Sequence, residues 1–554
     1  MPQDDPFTSI LRTRGMSVTN EEFSMDGSED GRNSVNSSPS LRLHDPARRK
    51  EGDGPGRSQL LEEGGAAGDD GAEEKSQPLT WLKSVFNLAN TSVGAGTLSL
   101  PFFYRSTGLV LGSILLVIVA LMSSYSLNLL AKLAQIEKGC TSYLTTAEVA
   151  YGHRGTKLVQ TAMFMLTFGA LTVYLIIIGS LSCQFLVGMV LENPFNKKSH
   201  SGKPSNLGPH GQGYLPVHPH NQGYQGLSNG STPFGPGGNG TSPVQLTSQC
   251  ASTQGLPFWC NRNFIVLCFL FFPMIPLSLK KNMKSLAFAS ILGLISVLYA
   301  VSMVAQDSIR HLVEPHPTIP LPGEKGGAKL FVVDMSIFFA LPIVCLAYLN
   351  HPNIHATVEE LENPTRKRVK SMVAGSTGLS TTLYLIMGML GYMRFGNIVE
   401  DDILLNYINL NWTNTVLFNT CRVAMVMCLV VSYPLILFPC RMCFHAILKD
   451  ALPESLKHFG GAFYFRMETF LIIGCAFTVS YFVPQIKTAF GLTGAITGCL
   501  MVYILPPLFY LKIRKESCTS SLTGFLSATL MVVGIIMSIV CTSAIVYQLV
   551  TGSG

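Results

Sequence analysis

The sequence predicts an all-α integral membrane protein, and three observations support this fold class. Of its 554 residues, 47% are hydrophobic and only 13% are charged, about half the charged fraction of roughly 25% that is typical of soluble domains. Residues 81–550 contain eleven apolar segments, each near the roughly 20 residues that a helix needs to cross a bilayer. Residues 1–80 contain no such segment, so we expect the first apolar segment to act as an uncleaved signal.

Each apolar segment is predicted as one transmembrane helix. The third segment is unusually long, which indicates a tilted helix or one that extends beyond the membrane. Arg422 in the eighth segment is the one clearly intramembrane charge that we expect. The predicted boundaries are 82–104, 108–133, 157–191, 261–279, 285–305, 330–350, 371–394, 415–438, 466–484, 488–511 and 521–549.

The first 80 residues differ in composition from the rest. They carry 16 acidic and 9 basic residues, a net charge of −7, and are rich in Gly and Ser. This composition predicts a disordered, acidic cytosolic tail ahead of a transmembrane domain at 81–550. The rest of the chain carries a net charge of +13. Such an excess in a membrane domain is typical of cytoplasmic loops, so no nucleic-acid partner is expected.

The loops predict an orientation. With the N-terminus in the cytosol, most clusters of Lys and Arg fall on the cytosolic side, as the positive-inside rule requires. The C-terminus is then extracytoplasmic, as is the long loop at 192–260. The same orientation exposes three glycosylation sequons and two cysteines that could pair in an oxidising compartment. These residues are Asn229, Asn239, Asn411, Cys250 and Cys260.

The first apolar segment carries the strongest functional signal. Residues 87–101 read NLANTSVGAGTLSLP, with Asn and hydroxyl side chains around two glycines. Unsatisfied polar groups are costly in hydrocarbon, so a helix rarely carries them without a binding role. Gly94 and Gly96 would allow the helix to unwind and offer its N–H and carbonyl groups to a ligand. Close helix packing through small residues is the alternative, but it does not explain the Asn and hydroxyl side chains.

Several motifs together resemble the amino acid/auxin permease family, in particular its sodium-coupled neutral amino acid transporters and vacuolar amino acid transporters. Residues 86–101 resemble the first helix of that family. Further similar stretches cover much of residues 80–550, while the tail lies outside the resemblance. They are AYLNHPNI (347–354), VSYPLILFPCR (431–441), FGLTGA (490–495) and LPPLFYLK (505–512).

The resemblance implies the fold of the bacterial leucine transporter, with two inverted five-helix repeats and one extra helix. Helices one and six would be broken near the middle of the membrane. Carried over to this chain, backbone N–H groups at the first break would bind the substrate carboxylate, because an exposed helix N-terminus favours an anion. The implied residues are Thr91, Ser92, Gly94, Ala95 and Gly96.

Helix six contains FALPIVC (339–345). Pro342 removes a backbone donor, so we expect the interruption there, with a simple kink as the alternative. Ala340, Leu341 and Ile343 would then form an apolar pocket suited to a neutral amino acid.

An ion site is also implied. Ser432 lies where sodium-coupled relatives carry a Thr, and it would join Asn90 and Val93 in binding Na⁺. A hydroxyl bonded to its own helix is the alternative, and similarity to proton-coupled vacuolar relatives leaves H⁺ open. Arg422 is a candidate outer gate, with snorkelling to the interface equally expected. His351 at the end of helix six would suit proton coupling, although a helix cap is simpler.

The sequence thus predicts a secondary active transporter of neutral L-amino acids that works by alternating access. No catalytic dyad, cofactor motif or metal site other than Na⁺ is evident, so an enzyme is not expected. The alternative is a membrane sensor that binds an amino acid and signals through its tail. The lipid bilayer and the substrate are the expected partners, and either the plasma membrane or a lysosomal or vacuolar membrane fits.

Overall fold

The folded part of the chain is built from helices. A computed structural model describes residues 79–191, 258–279, 288–313, 327–408, 415–451, 461–517 and 521–551, which lie in the unit Pro78–Gly554. Its main helices are α1 (Trp81–Ser92), α2 (Leu100–Thr107), α3 (Leu109–Ile136), α4 (Tyr143–Leu191), α5 (Arg262–Ser278), α6 (Phe288–Val313), α7 (Ile337–Ala347), α8 (Ile354–Glu360), α9 (Arg366–Phe395), α10 (Thr415–Ala451), α11 (Gly461–Phe482), α12 (Ile486–Arg514) and α13 (Leu522–Thr551).

Within these described residues, nine helical stretches are long and apolar enough to cross a membrane. An all-α, multi-pass membrane protein is therefore confirmed. The first and fourth predicted spans are not among these nine. The α5 helix is shorter, and the first span is divided between α1 and α2, neither of which exceeds 12 residues.

The first span unwinds at its glycines. Helix α1 ends at Ser92, and the chain is extended at Val93 and at Gly94, whose φ and ψ are −144° and −157°. A 3₁₀ turn over Ala95–Ser99 then leads into α2. The predicted interruption at Gly94 and Gly96 is confirmed.

The sixth span is also interrupted, but the prediction that its break falls at Pro342 is wrong. Helix α7 continues through Pro342 to Ala347, and the break follows at Tyr348–Asn350. The proline costs α7 only the hydrogen bond that its missing N–H cannot make. Its carbonyl lies so close to α12 that a Cβ at Gly494 would be 2.2 Å from the oxygen. Helix α7 therefore packs closely against α12 at Pro342.

The third span is longer than predicted. Helix α4 runs for 49 residues, with a kink at Gly152, where φ is +58°. That conformation favours glycine because it lacks a Cβ. The segment before the kink begins at Tyr143, ahead of the predicted start at residue 157. Beyond it, α4 lies along α10 for much of its length.

A short pairing joins the start of α3 to the segment before α7. The N–H groups of Leu109 and Val110 donate to the carbonyls of Lys329 and Leu330 at 2.9 Å, and that of Val332 donates back to Thr107. Gly108 turns the chain between α2 and α3 with φ at +82°, and a Cβ there would lie 2.6 Å from the Leu330 carbonyl oxygen. A glycine is therefore required where the two segments meet.

Both breaks lie beside the same apolar core. Val93 and Leu98 from the first break belong to one buried cluster with Ala340 and Ile343 of α7. Helix α7 also packs against the 3₁₀ turn and against α2. The two interrupted spans are therefore neighbours.

Candidate functional site

The break in the first span leaves backbone donors unused. The N–H of Val93 still bonds to Ala89, and that of Thr97 closes the 3₁₀ turn on Gly94. Among the hydrogen bonds of the described residues, none is donated by the N–H groups of Gly94, Ala95 or Gly96. These are the orphan donors of a helix start, and buried donors are normally paired. These three adjacent N–H groups could therefore bind a negatively charged or partly negative group.

Open space adjoins the same donors. A Cβ built on Gly94 or on Gly96 would meet no atom within 4 Å, and both residues are partly exposed. The glycines in contact with other helices are different, because a Cβ on Gly388 would come within 2.4 Å of the Tyr104 ring. The break thus offers both donors and room for a ligand.

The hydroxyls of Thr91 and Ser92 are already bonded. Thr91 is exposed and its Oγ1 donates to the Leu88 carbonyl at 2.8 Å. Ser92 Oγ donates to Ala89 at 2.8 Å and also lies 2.8 Å from Ser380 Oγ of α9. Both hydroxyls are therefore engaged near the C-terminus of α1, and the backbone at Gly94–Gly96 is the part of the predicted set that is unpaired.

The apolar residues predicted on helix six lie near this break. Ala340 and Ile343 are fully buried, whereas Leu341 is partly exposed and packs against the core. Because α7 packs on the 3₁₀ turn, these side chains are on the element that faces it. Only Leu341 of the three retains appreciable surface.

Tyr384 connects the two breaks, a role that the sequence did not reveal. Its hydroxyl lies 2.7 Å from the carbonyl oxygen of Ser92, the last residue of α1, and 2.7 Å from that of Ala347, the last residue of α7. Tyr348 packs edge-on against its ring, with centroids 5.2 Å apart. The sequence offered only a Tyr that follows the hydroxyl residues Ser380, Thr381 and Thr382 within a predicted span.

Further polar groups are buried beside the breaks without a described partner. They include Thr97 Oγ1, Asn350 Oδ1 and both ring nitrogens of His351. His351 opens the 3₁₀ turn that follows the second break and is fully buried. Such groups are rare in folded proteins and commonly bind ordered water or a ligand.

The residues predicted for Na⁺ are not joined by any described hydrogen bond. Ser432 Oγ has Cys428 Sγ at 3.9 Å as its described neighbour on α10. Helix α10 packs chiefly against α4 and α6. Asn90 is partly buried and Val93 is buried at the first break. The ion site formed by these three residues stays a prediction.

Arg422 is buried within the protein. One Nη atom donates to the Leu404 carbonyl at 3.1 Å and the other donates to Asn419 Oδ1. Leu404 belongs to a 3₁₀ turn, Ile403–Ile408, in the loop that follows α9. Arg422 thereby anchors this loop to α10.

Asp402 lies in the same loop. Its Oδ1 accepts from the Leu404 N–H at 2.9 Å, while Oδ2 is buried without a described partner. Burial raises the pKa of Asp402 to about 7, although the Leu404 N–H and the Arg422 charge oppose the shift. The carboxyl therefore titrates near neutral pH.

Besides Arg422, two charged side chains of the described helices are buried as an ion pair. Arg394 Nε of α9 and Asp307 Oδ2 of α6 form an ion pair of 2.7 Å, with the two side chains 0% and 8% exposed. A buried pair of this kind is costly to break because each charge is left uncompensated.

A second buried charge cluster joins α10 and α11. Glu468 is almost fully buried and its Oε1 lies 2.7 Å from His445 Nδ1. Arg441 donates to Thr469 Oγ1 at 3.2 Å and its guanidinium lies 3.7 Å from the centroid of the Phe465 ring. The hydrogen bond of Glu468 to His445 and the cation–π contact of Arg441 link the two helices.

Several predicted sites lie wholly or partly outside the described residues: Asn229, Asn239, Asn411 and Cys250. Cys260 is buried, and Cys183 Sγ donates to its carbonyl at 3.2 Å. In the ranges that the structure covers, no group of three or more His, Cys, Asp or Glu side chains is placed to hold a metal ion.

The chain is similar to several known proteins. It is 28% identical to rat "Sodium-coupled neutral amino acid transporter 4", covering 82% of this chain and 81% of that protein. It is 25% identical to Arabidopsis thaliana "Amino acid transporter AVT6E", covering 84% of this chain and 83% of that protein.

Human "Solute carrier family 38 member 10" is 23% identical over 82% of this chain, but this chain spans only 34% of that longer protein. "Crystal structure of MhsT in complex with L-phenylalanine" aligns with a TM-score of 0.42 at 10% identity, covering 85% of this chain and 100% of that one. A likeness of that degree carries no argument about this fold.

A family model described as "Transmembrane amino acid transporter protein" matches residues 77–200 and 241–551. These ranges make up well over half of the sequence and contain all the described helices. The unwound first span, with its free N–H groups, lies inside the first range. The chain therefore belongs to the transmembrane amino acid transporter protein family.

Proposed function

We propose that the protein is a secondary active transporter that moves neutral L-amino acids across a membrane. The observation that carries this proposal is the first break, where three adjacent N–H groups have no described partner and open space adjoins Gly94 and Gly96. Family membership supports an amino acid as the ligand.

The substrate carboxylate would bind at the N–H groups of Gly94, Ala95 and Gly96. A start of helical structure carries a partial positive charge and favours an anion without needing a basic side chain. Thr91 and Ser92 precede these donors, with their hydroxyls already bonded to α1. They would shape the site chiefly through their backbone.

A neutral side chain fits the opposite wall. Ala340, Leu341 and Ile343 are apolar, and α7 packs on the 3₁₀ turn that carries the donors. An ionic side chain would need a compensating charge there. We therefore infer a preference for small or medium neutral amino acids, with Leu341 as the residue whose exposed surface meets the substrate.

Transport would be coupled to Na⁺ or to H⁺. The names of the rat relative and of zebrafish "Sodium-coupled neutral amino acid symporter 2" state sodium coupling for those proteins. Oxygens from Asn90, Val93 and Ser432 are the proposed Na⁺ ligands, since a hard cation prefers oxygen. Binding would require Ser432 to approach the first break.

Alternating access would follow from eleven spans arranged as two inverted repeats plus one helix, with substrate bound at the breaks. The proposed orientation places the N-terminus in the cytosol and the C-terminus outside it. Arg422 would then lie near the outer end, where it anchors the loop that contains Leu404.

Uptake of radiolabelled glutamine and alanine into proteoliposomes tests this function. An inward Na⁺ gradient is compared with an inward H⁺ gradient, for wild type and Ser432→Ala. Uptake that requires Na⁺ and is lost in the variant would support Na⁺ coupling through Ser432. Uptake driven by H⁺ alone would reject that ion site. Substrate binding without uptake under either gradient would reject transport in favour of a sensor.

A further inference from the structure

The Tyr384 hydroxyl lies between the ends of α1 and α7, the helical segments that precede the two breaks. Ser92 is the last residue of α1 and Ala347 is the last residue of α7. Both carbonyl oxygens lie 2.7 Å from the Tyr384 hydroxyl. The two ends therefore meet at one side chain from a third helix, α9.

Both acceptors come from the electronegative ends of helices. The last carbonyls of a helix have no partner within it and carry a partial negative charge. Two such ends facing one another repel, unless a donor or a cation lies between them. One hydroxyl supplies one hydrogen, so the two carbonyls share it in a three-centre interaction.

Neighbouring side chains of α9 reinforce this arrangement. Ser380, one turn before Tyr384, has its Oγ 2.8 Å from Ser92 Oγ. Thr381 Oγ1 lies 2.9 Å from the hydroxyl of Tyr348, the first residue of the second break. The face of α9 formed by Ser380, Thr381 and Tyr384 therefore contacts both breaks, and only Tyr384 contacts both at once.

We propose that Tyr384 is a positioning residue for the substrate site. Its hydroxyl holds the ends of α1 and α7 at one spacing, and this spacing sets the affinity for substrate. The free N–H groups at Gly94–Gly96 begin two residues after Ser92, and the apolar wall of α7 ends at Ala347. A change in the distance between the two ends moves the carboxylate donors relative to that wall.

This inference rests on the proposed function, since it assigns a role in substrate binding. It predicts an effect on affinity through preorganisation, without contact between Tyr384 and the substrate. A site held in its bound geometry avoids the cost of ordering at the moment of binding. Loss of the hydroxyl is then expected to raise KM while leaving the maximum rate within about twofold of wild type.

Tyr384→Phe is the test variant and Tyr143→Phe is the matched control. The Tyr143 hydroxyl is buried and donates to the Met501 carbonyl at 2.8 Å, joining α4 to α12 with no described hydrogen bond to the residues of either break. Each variant loses one buried tyrosine–carbonyl contact between helices. A general loss of packing or hydrogen bonding affects both alike, whereas loss of positioning affects only Tyr384→Phe.

Two measurements are made on full-length protein in lipid nanodiscs and proteoliposomes. Amide hydrogen exchange reports on the N–H groups of Val93, Thr97, Tyr348 and Leu349, whose bonds flank the breaks. Uptake and equilibrium binding of labelled alanine and glutamine give KM, maximum rate and Kd. The first measurement does not depend on transport.

We expect Tyr384→Phe to exchange faster than Tyr143→Phe in both flanking segments and to raise KM and Kd roughly three- to tenfold. That range corresponds to about 0.7–1.4 kcal/mol, the size of a typical net hydrogen bond. Unchanged exchange, or faster exchange with KM and Kd like those of Tyr143→Phe, would overturn the inference. If the wild-type protein binds no amino acid, the proposed function is rejected, and the role of Tyr384 in substrate affinity is rejected with it.

Discussion

The backbone donors at the break in the first span and the arginines Arg394 and Arg422 beside the loop at 399–408 are arranged in opposite ways. At the break, the N–H groups of Gly94–Gly96 have no described partner and adjoin open space. In the loop and the helix ends beside it, the Arg394–Asp307 pair and the bonds of Arg422 are closed and buried. Unpaired groups with room beside them suit a ligand, whereas paired and enclosed groups stabilise the fold.

Substitution of Gly94 tests the open region at the first break and is expected to have the largest effect on amino acid uptake. The backbone of Gly94 is extended, and a Cβ there would meet no atom within 4 Å. Gly94→Val should therefore fold normally but fill the proposed carboxylate site, so that amino acid uptake falls at least roughly tenfold. Uptake and the midpoint of thermal unfolding are measured together.

Gly388→Ala provides the contrasting control. Its added methyl group would press on the Tyr104 ring, so it should lower the unfolding midpoint. A Gly94→Val protein with normal uptake would contradict the assignment of the break as the binding site.

Substitution of Arg394 tests the buried Arg394–Asp307 ion pair. Arg394→Ala leaves the Asp307 carboxylate buried without its partner, at an expected cost of about 3–5 kcal/mol in the free energy of unfolding. The double variant Arg394→Met/Asp307→Leu removes both charges and should be more stable than either single variant. If the single variant unfolds like wild type, the pair does not stabilise the fold.

The pH dependence of stability tests the state of Asp402. Its pKa is about 7 in the fold because of burial and about 3.9 in the unfolded chain. The folded state thus binds more protons at Asp402 between these values. The contribution of Asp402 to the free energy of unfolding is therefore highest below about pH 4 and falls as the pH rises to about 7. The decline is at most about 4 kcal/mol.

Asp402→Asn should abolish this part of the decline, because an amide accepts from the Leu404 N–H but does not ionise at these pH values. Thermal unfolding from pH 4 to pH 8 gives the comparison. Identical slopes for variant and wild type would show that Asp402 is already ionised at low pH.

Arg422→Gln is expected to have the smallest effect. It removes the charge and the bond to the Leu404 carbonyl, which should cost about 1–3 kcal/mol of stability. Because the Arg422 charge lowers the pKa of Asp402, the pH window of Asp402 should also move upward. A variant with unchanged stability but altered substrate release would support a gate at Arg422 in place of a loop anchor.

Local features of the fold were predictable from sequence, and long-range contacts were not. Gly94 and Gly96 among polar residues indicated the first break because unwinding is a local property of those residues. Pro342 misled the prediction of the second break, because α7 accommodates the proline without unwinding. The tie formed by Tyr384 depends on three separate helices.

The buried charges show the same limit. Asp307 and Arg394 lie near the ends of predicted spans, and a span boundary cannot be located within a turn from apolar composition alone. Their pairing across 87 residues of sequence required the packing of α6 on α9. Arg422 was recognised as unusual, but its partner Leu404 was not, since a backbone carbonyl carries no signal in the sequence.

The pairing of residues 107–110 with 329–332 has a mechanical consequence. This pairing fastens the region where α2 meets α3 to the segment that leads into α7, and Tyr384 fastens the other end of α7 to α1. Helix α7 is therefore attached at its two ends to opposite sides of the first break. A rotation of α7 would transmit opposing displacements to α1 and α2, and the gap between them would widen or narrow as a hinge does.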